Sequence, residues 1–210
     1  GSTEILLRSG AAGLPLSGRL GHGFSANGDI IAFAANGRAR VNAVGIGHPA
    51  RDGLEPPGAS VTGEIEIGDD DDLDLGMIIQ EGVLPSALAP LLPVLFVPGG
   101  RLIGAAQALL KGVYDGPLAR TQTFFVVSHD SARGQIVLRG GRSAIHWPDV
   151  VDEPVYGRVD AALGKLAKAA GAVYIKNPLS GTVLGKKPAT AHPLGGCGMG
   201  RDRTEAVVDH

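Results

Sequence analysis

Apolar residues recur along this chain with two periods, and the two kinds of stretch are interleaved without a regular order. Val61–Ile67 alternates apolar and polar as a half-buried strand does. Leu102, Ile103, Ala106, Leu109, Leu110 and Val113 instead fall at helical spacing, with Gly112 and Gly116 near the end. A second helix is predicted from Pro154, a good first helical residue, with Val155, Val159, Ala162, Leu163 and Leu166 turned inward before Gly171 stops it. A third helix opens the chain. Ser2 and Thr3 are candidate caps, Glu4 suits the first turn, and Ile5, Leu6 and Leu7 form an apolar stripe that ends at Gly10.

Further strands are predicted between these segments. Asp29–Ala35 and Arg38–Ile46 read as a hairpin joined at Asn36-Gly37, a dipeptide suited to a tight turn. Leu75–Gln80 follows the acidic run Asp69–Asp72, which reads as a solvated connection because it lacks the spaced ligands of a calcium loop. Thr121–Val127 and Gln135–Arg139 read as a second hairpin around Asp130–Gly134, followed by strands at Ser143–Trp147 and Ala172–Ile175. Strand-rich stretches with hairpins and two substantial helices predict an α+β fold, a mostly antiparallel or mixed sheet with helices packed on one face.

Composition narrows the function. The 210 residues carry 19 Lys plus Arg against 21 Asp plus Glu, a net charge of -2 without a basic run, which disfavours a nucleic-acid partner. One cysteine, Cys197, excludes an internal disulfide framework, and the scattered His22, His48, His129, His146 and His192 lack zinc-like spacing, so no metal site is predicted. The most apolar stretch, Val83–Val97, is broken by Pro85, Pro90 and Pro93, and no transmembrane segment is predicted. Localisation is left open. The 33 glycines, without a fixed period, point to tight turns and close backbone approaches.

The richest chemistry lies in Thr190-Ala191-His192-Pro193-Leu194-Gly195-Gly196-Cys197-Gly198-Met199-Gly200. Pro193 pushes His192 toward an extended conformation, and Gly195 and Gly196 let the backbone lie against a flat ligand or another chain segment. An imidazole in that setting can take a hydroxyl proton or hydrogen-bond a substrate oxygen. A glycine-rich turn with a structural histidine is the plainer reading of the same residues.

His192-Pro193-Leu194-Gly195-Gly196-Cys197 resembles the histidine segment of the glucose-methanol-choline oxidoreductases, particularly the cholesterol oxidase branch. Gly1-Ser2-Thr3-Glu4-Ile5-Leu6-Leu7-Arg8-Ser9 resembles the helix that follows a flavin-domain strand in that family, and Leu20–Gly28 its next glycine-rich loop. Ile145-His146-Trp147 through Gly171-Ala172-Val173-Tyr174 is similar to the part preceding the histidine. The resemblance implies an FAD-dependent oxidation of a sterol or other bulky secondary alcohol. It assigns His192 to the substrate hydroxyl, Gly1, Ser2, Gly195 and Gly196 to the cofactor, and Glu81 to the proton transfer of steroid double-bond isomerisation.

The same resemblance implies one substrate-binding unit over 1–210, with 1–28 and 185–210 bordering a flavin-binding domain elsewhere in a parent chain. Taken alone, this stretch is expected to bind FAD weakly and to be inactive. Glu81 has two readings, a base raised by its apolar neighbours or a solvent-facing strand-end residue, and the apolar loop after it is either packing or a lid over a greasy substrate. A noncatalytic lipid- or sterol-binding module is the competing class. Gly45-Ile46-Gly47-His48-Pro49-Ala50 imitates a dinucleotide fingerprint, but no helix pattern follows before Pro56 and Pro57. No Gly-x-Ser-x-Gly elbow supports a serine hydrolase.

Overall fold

The computed structural model describes residues 1–41, 44–46, 61–68, 71–85, 106, 110, 115–176 and 190–208. In chain order its elements are α1 (Ser2–Ala11), β1 (His22–Phe24), β2 (Ile30–Ala35), β3 (Val44–Ile46), β4 (Val61–Ile67), β5 (Met77–Gly82) and β6 (Leu84–Pro85). They continue with β7 (Gln122–Ser128), β8 (Gly134–Arg139), β9 (Arg142–His146), α2 (Pro154–Ala169) and β10 (Val173–Ile175). The principal sheet runs β10-β2-β7-β5-β4 and is antiparallel throughout. A second antiparallel sheet has the order β1-β8-β9, and β3 pairs with β6 in parallel. The α+β class and the mostly antiparallel pairing stand as the pattern predicted.

The core lies between α2 and one face of the principal sheet. Val155, Val159, Leu163 and Ala167 repeat every four residues on α2 and meet Ile30, Ala32, Ala34, Ile79, Phe124 and Val126, which alternate along their strands as a one-sided sheet requires. Fully burying one such side chain contributes about 1.5–3 kcal/mol. Pro154 occupies the first turn of α2, as its fixed φ favours. The helix α1 packs instead on β8 of the smaller sheet.

Three local expectations change. Asn36-Gly37 does not close a hairpin, because both edges of β2 are taken, one by β7 and the other by β10 through Val173↔Ala35. The Gly37 and Arg38 amides donate to the carbonyls of Arg120 and Ala170 instead. The strands flanking Asp130–Gly134 do not pair with each other, since β7 sits between β2 and β5 whereas β8 joins β1 and β9. The tight hairpin of this region lies one step later, where Gly140 and Gly141, at φ 56° and 73°, join β8 to β9. Ser2 and Thr3 do not cap α1; Gly1 holds the cap position without a side-chain bond, and Thr3 is buried.

Other expectations meet the structure at their edges. Asp72, from the acidic run, accepts a bond from the Asp74 amide and starts a short 3-10 turn, Leu73–Leu75. The helix predicted over Leu102–Val113 lies outside the described residues apart from Ala106 and Leu110, as does most of the apolar stretch after Pro85.

Candidate active site

The His192 segment is fastened to the fold by backbone first. Ser25 and Leu194 exchange both of their N–H···O bonds at 3.1 Å, Gly196 N–H donates to the His22 carbonyl at 3.1 Å, and Gly21 N–H donates to the Gly196 carbonyl at 2.7 Å. The segment thereby lies against β1 like an additional short strand. Gly195 and Gly196 adopt φ of 83° and 85°, and a side chain at Gly195 would overlap the Gly23 carbonyl oxygen. A Cβ at Gly196 would stand 2.7 Å from Thr3 Oγ1 and 2.9 Å from Ile136 Cδ1. Of the two uses predicted for these glycines, close approach to another chain segment is the one seen.

Side chains complete the attachment around Asp29, which is buried just before β2. Its Oδ2 accepts from the Thr190 hydroxyl at 2.9 Å, the Ala191 amide at 2.8 Å and the His192 amide at 3.1 Å. The His192 Nδ1 lies 3.1 Å from Oδ2 and 3.3 Å from Oδ1, and the Asn27 side-chain amide approaches Oδ1 at 3.4 Å. The imidazole itself is 59% exposed while the carboxylate is only 8% exposed, so a sheltered anion holds the inner edge of a ring whose outer edge faces solvent.

A cleft of about 550 Å³ opens beside this segment, lined by Gly1, Ser2, Thr3 and Glu4 of α1 and by Pro193, Leu194 and Gly195, with Phe24, Ile136 and Ile145 among its other walls. It brings together three of the four residues assigned to a cofactor. Gly196 is the exception, being buried behind the cleft against Thr3. The first turn of α1 faces this cleft. Glu4 is occupied by Arg8 and Ser143, whose hydrogen bonds hold its carboxyl below the usual range.

Glu81 lies elsewhere. It is inside β5, not past its end, and its registry opposite Phe124 puts it on the sheet face that α2 covers, where the Thr62 hydroxyl lies 3.3 Å from its Oε2. Asp29 precedes Ile30, which pairs with Val126, so sheet geometry separates the Asp29 and Glu81 backbones by about 14 Å across two strands. The register thus keeps Glu81 away from the histidine. A second cleft, of about 370 Å³, opens where Asn27, Ile67, Leu73, Met77, Val127 and His129 converge. Asn27 links that cleft to Asp29.

Asp29 is the site residue that sequence reasoning passed over. A lone carboxylate directly before the all-apolar run Ile30-Ile31-Ala32-Phe33-Ala34-Ala35, and straight after a glycine-rich loop, was the available signal. Among the described residues no group of three His, Cys, Asp or Glu side chains is placed to hold a metal ion, and no helix is long and apolar enough to cross a membrane. The chain matches no family model and no curated protein.

Proposed function

We propose that this chain is the substrate-binding and catalytic-histidine part of an FAD-dependent alcohol oxidoreductase of the glucose-methanol-choline type, acting on a sterol or other bulky secondary alcohol together with a flavin-binding domain. The observation that carries this reading is the exposed His192 imidazole, tethered by buried Asp29, in the residue immediately before the Pro193–Gly195 wall of the 550 Å³ cleft. A histidine whose task was only to fill the fold would be enclosed by it.

The residues present fit the edge of a flavin: the first turn of α1 and the backbone of Pro193–Gly195 face one cleft, so Gly1, Ser2 and Gly195 are the groups that would hold the cofactor. When bound, FAD supplies the hydride acceptor. The protein's part is orientation and proton handling. Asp29 and Pro193 hold the imidazole, and its outer edge accepts a hydrogen bond and then the proton from the substrate hydroxyl. The second cleft, where Ile67, Leu73, Met77, Ile78 and Val127 stand beside Asn27, Glu66, Ser128 and His129, offers apolar surface for a hydrocarbon body next to polar groups. Glu81 takes no part in this oxidation.

The test is anaerobic bleaching of the flavin in a flavin-loaded protein carrying this chain, with sterols, other bulky secondary alcohols and sugars as substrates. Sterols or bulky alcohols are expected to reduce the flavin, and His192→Ala to slow that reduction by roughly 100-fold or more with the flavin still bound. Reduction at an unchanged rate in His192→Ala would remove the assignment.

A further inference from the structure

We propose that Asp29 is a positioning residue that fixes His192 as the Nδ1–H tautomer, leaving the Nε2 lone pair as the proton-accepting atom. Nδ1 stands within 3.3 Å of both carboxylate oxygens, and among the described residues Nε2 has no protein partner. A carboxylate only accepts hydrogen bonds, so the ring nitrogen beside it carries the hydrogen. The other donors on Asp29, from Thr190, Ala191, the His192 amide and Asn27, fix the carboxylate in turn. Its oxygens are therefore held by groups on both sides and have no freedom to turn away from the ring. The consequence for proton removal from an alcohol rests on the oxidation reading above; the tautomer does not.

The geometry makes Asp29→Asn informative. The amide oxygen takes the Oδ2 position, where it keeps the bonds from Thr190, Ala191 and the His192 amide and so keeps the segment docked. The amide nitrogen takes the Oδ1 position, 3.3 Å from Nδ1, and offers it a donor, while the amide oxygen 3.1 Å away still accepts, so the carboxylate's exclusive demand for a hydrogen on Nδ1 is lost. The ring is then free to populate both tautomers, and in the Nε2–H form it loses its outward lone pair. In Ser-His-Asp triads the equivalent exchange costs about 10⁴-fold in rate through the wrong tautomer with geometry intact.

Long-range ¹H–¹⁵N correlation spectra of the labelled chain, with the rings neutral, read the tautomer directly, and His192→Gln identifies the signals. A protonated Nδ1 with a bare Nε2 is expected in the native chain, and a shift toward Nε2–H in Asp29→Asn while the Ala191 and His192 amides stay protected from exchange. A native Nε2–H ring, averaging between tautomers in the native chain, or an Asp29→Asn ring with the native tautomer unchanged would overturn the proposal. If Asp29→Asn fails to fold, the native spectrum alone decides. In the flavin-loaded protein, Asp29→Asn is expected to slow flavin reduction several-fold or more, with the native rate overturning the positioning role. Insensitivity to His192→Ala beside a confirmed tautomer would fault the oxidation reading and leave the tautomer standing.

Discussion

The backbone of Gly195 lies against the carbonyl of Gly23 so closely that no side chain fits between them, and at φ 83° it has a conformation that L residues rarely adopt. Both constraints act on the segment that carries His192. Gly195→Ala is therefore expected to undock the segment and to cost about 3 kcal/mol, combining left-handed strain with a backbone overlap. Faster amide exchange at Leu194 and Gly196, with β7 still protected, is the signature to look for. Native-like protection at Leu194 would show that the overlap is relieved by a small shift.

At the other end of the loop network, Glu153 supports the Ser131–Arg133 turn at the start of α2. Its carboxylate accepts from the Ser131 amide at 3.1 Å, the Ser131 hydroxyl at 2.7 Å and Arg133 Nη2 at 2.9 Å. Burial pushes its pKa up, but the bonds from Arg133 and Ser131 outweigh that and hold it below the ordinary value of 4.5. The sign follows from proton linkage: the folded state binds the proton less tightly, so the contribution is complete above the unfolded value and is lost as pH falls through the lower folded value. Urea midpoints measured from neutral pH into the acid range should fall less steeply for Glu153→Gln than for the native chain. Parallel curves would dismiss Glu153 as a source of acid sensitivity.

The sequence pattern and the structure agree where one element decides its own fate and part where a distant strand competes. The Val155, Val159, Leu163 stripe marks α2 because period and burial coincide there, whereas the alternation at Val61–Ile67 marks β4 as a strand although every residue of it is exposed at the sheet edge. Asn36-Gly37 misleads because β10 and β7 win both edges of β2, a competition settled by strands far along the chain. His192 and its glycines are legible as a motif. Asp29 is not, since its meaning arises only when residue 192 is brought 163 positions back along the sequence to meet it. Glu81 shows the reverse failure: an attractive local context is cancelled by a register that places it on the α2 face.

Tyr156 illustrates a polar group that the fold tolerates without using. It is 8% exposed on α2, and among the described residues its hydroxyl has no hydrogen-bond partner. Burial, with Asp130, Glu153 and Asp29 nearby, pushes its pKa well above the ordinary range and keeps it neutral. Tyr156→Phe removes an unsatisfied hydroxyl and retains the ring, so stability should be unchanged or higher by up to about 1 kcal/mol. A clear loss in the urea midpoint would reveal a bond made by that hydroxyl in solution.

Leu163 tests the core on which the placement of β2, and through it Asp29, depends. It is fully buried between α2 and the sheet, in the same cluster as Ile30, the residue that follows Asp29. Leu163→Ala removes its apolar contacts and leaves a cavity in a one-layer helix-on-sheet core, for which about 3 kcal/mol is the ordinary cost. Because β1, β8 and β9 form a separate sheet packed on α1, the loss should appear first as faster exchange in β2, β7 and β5, with β8 and β9 less affected. Uniform loss of protection across both sheets would mean that they unfold as one cooperative unit.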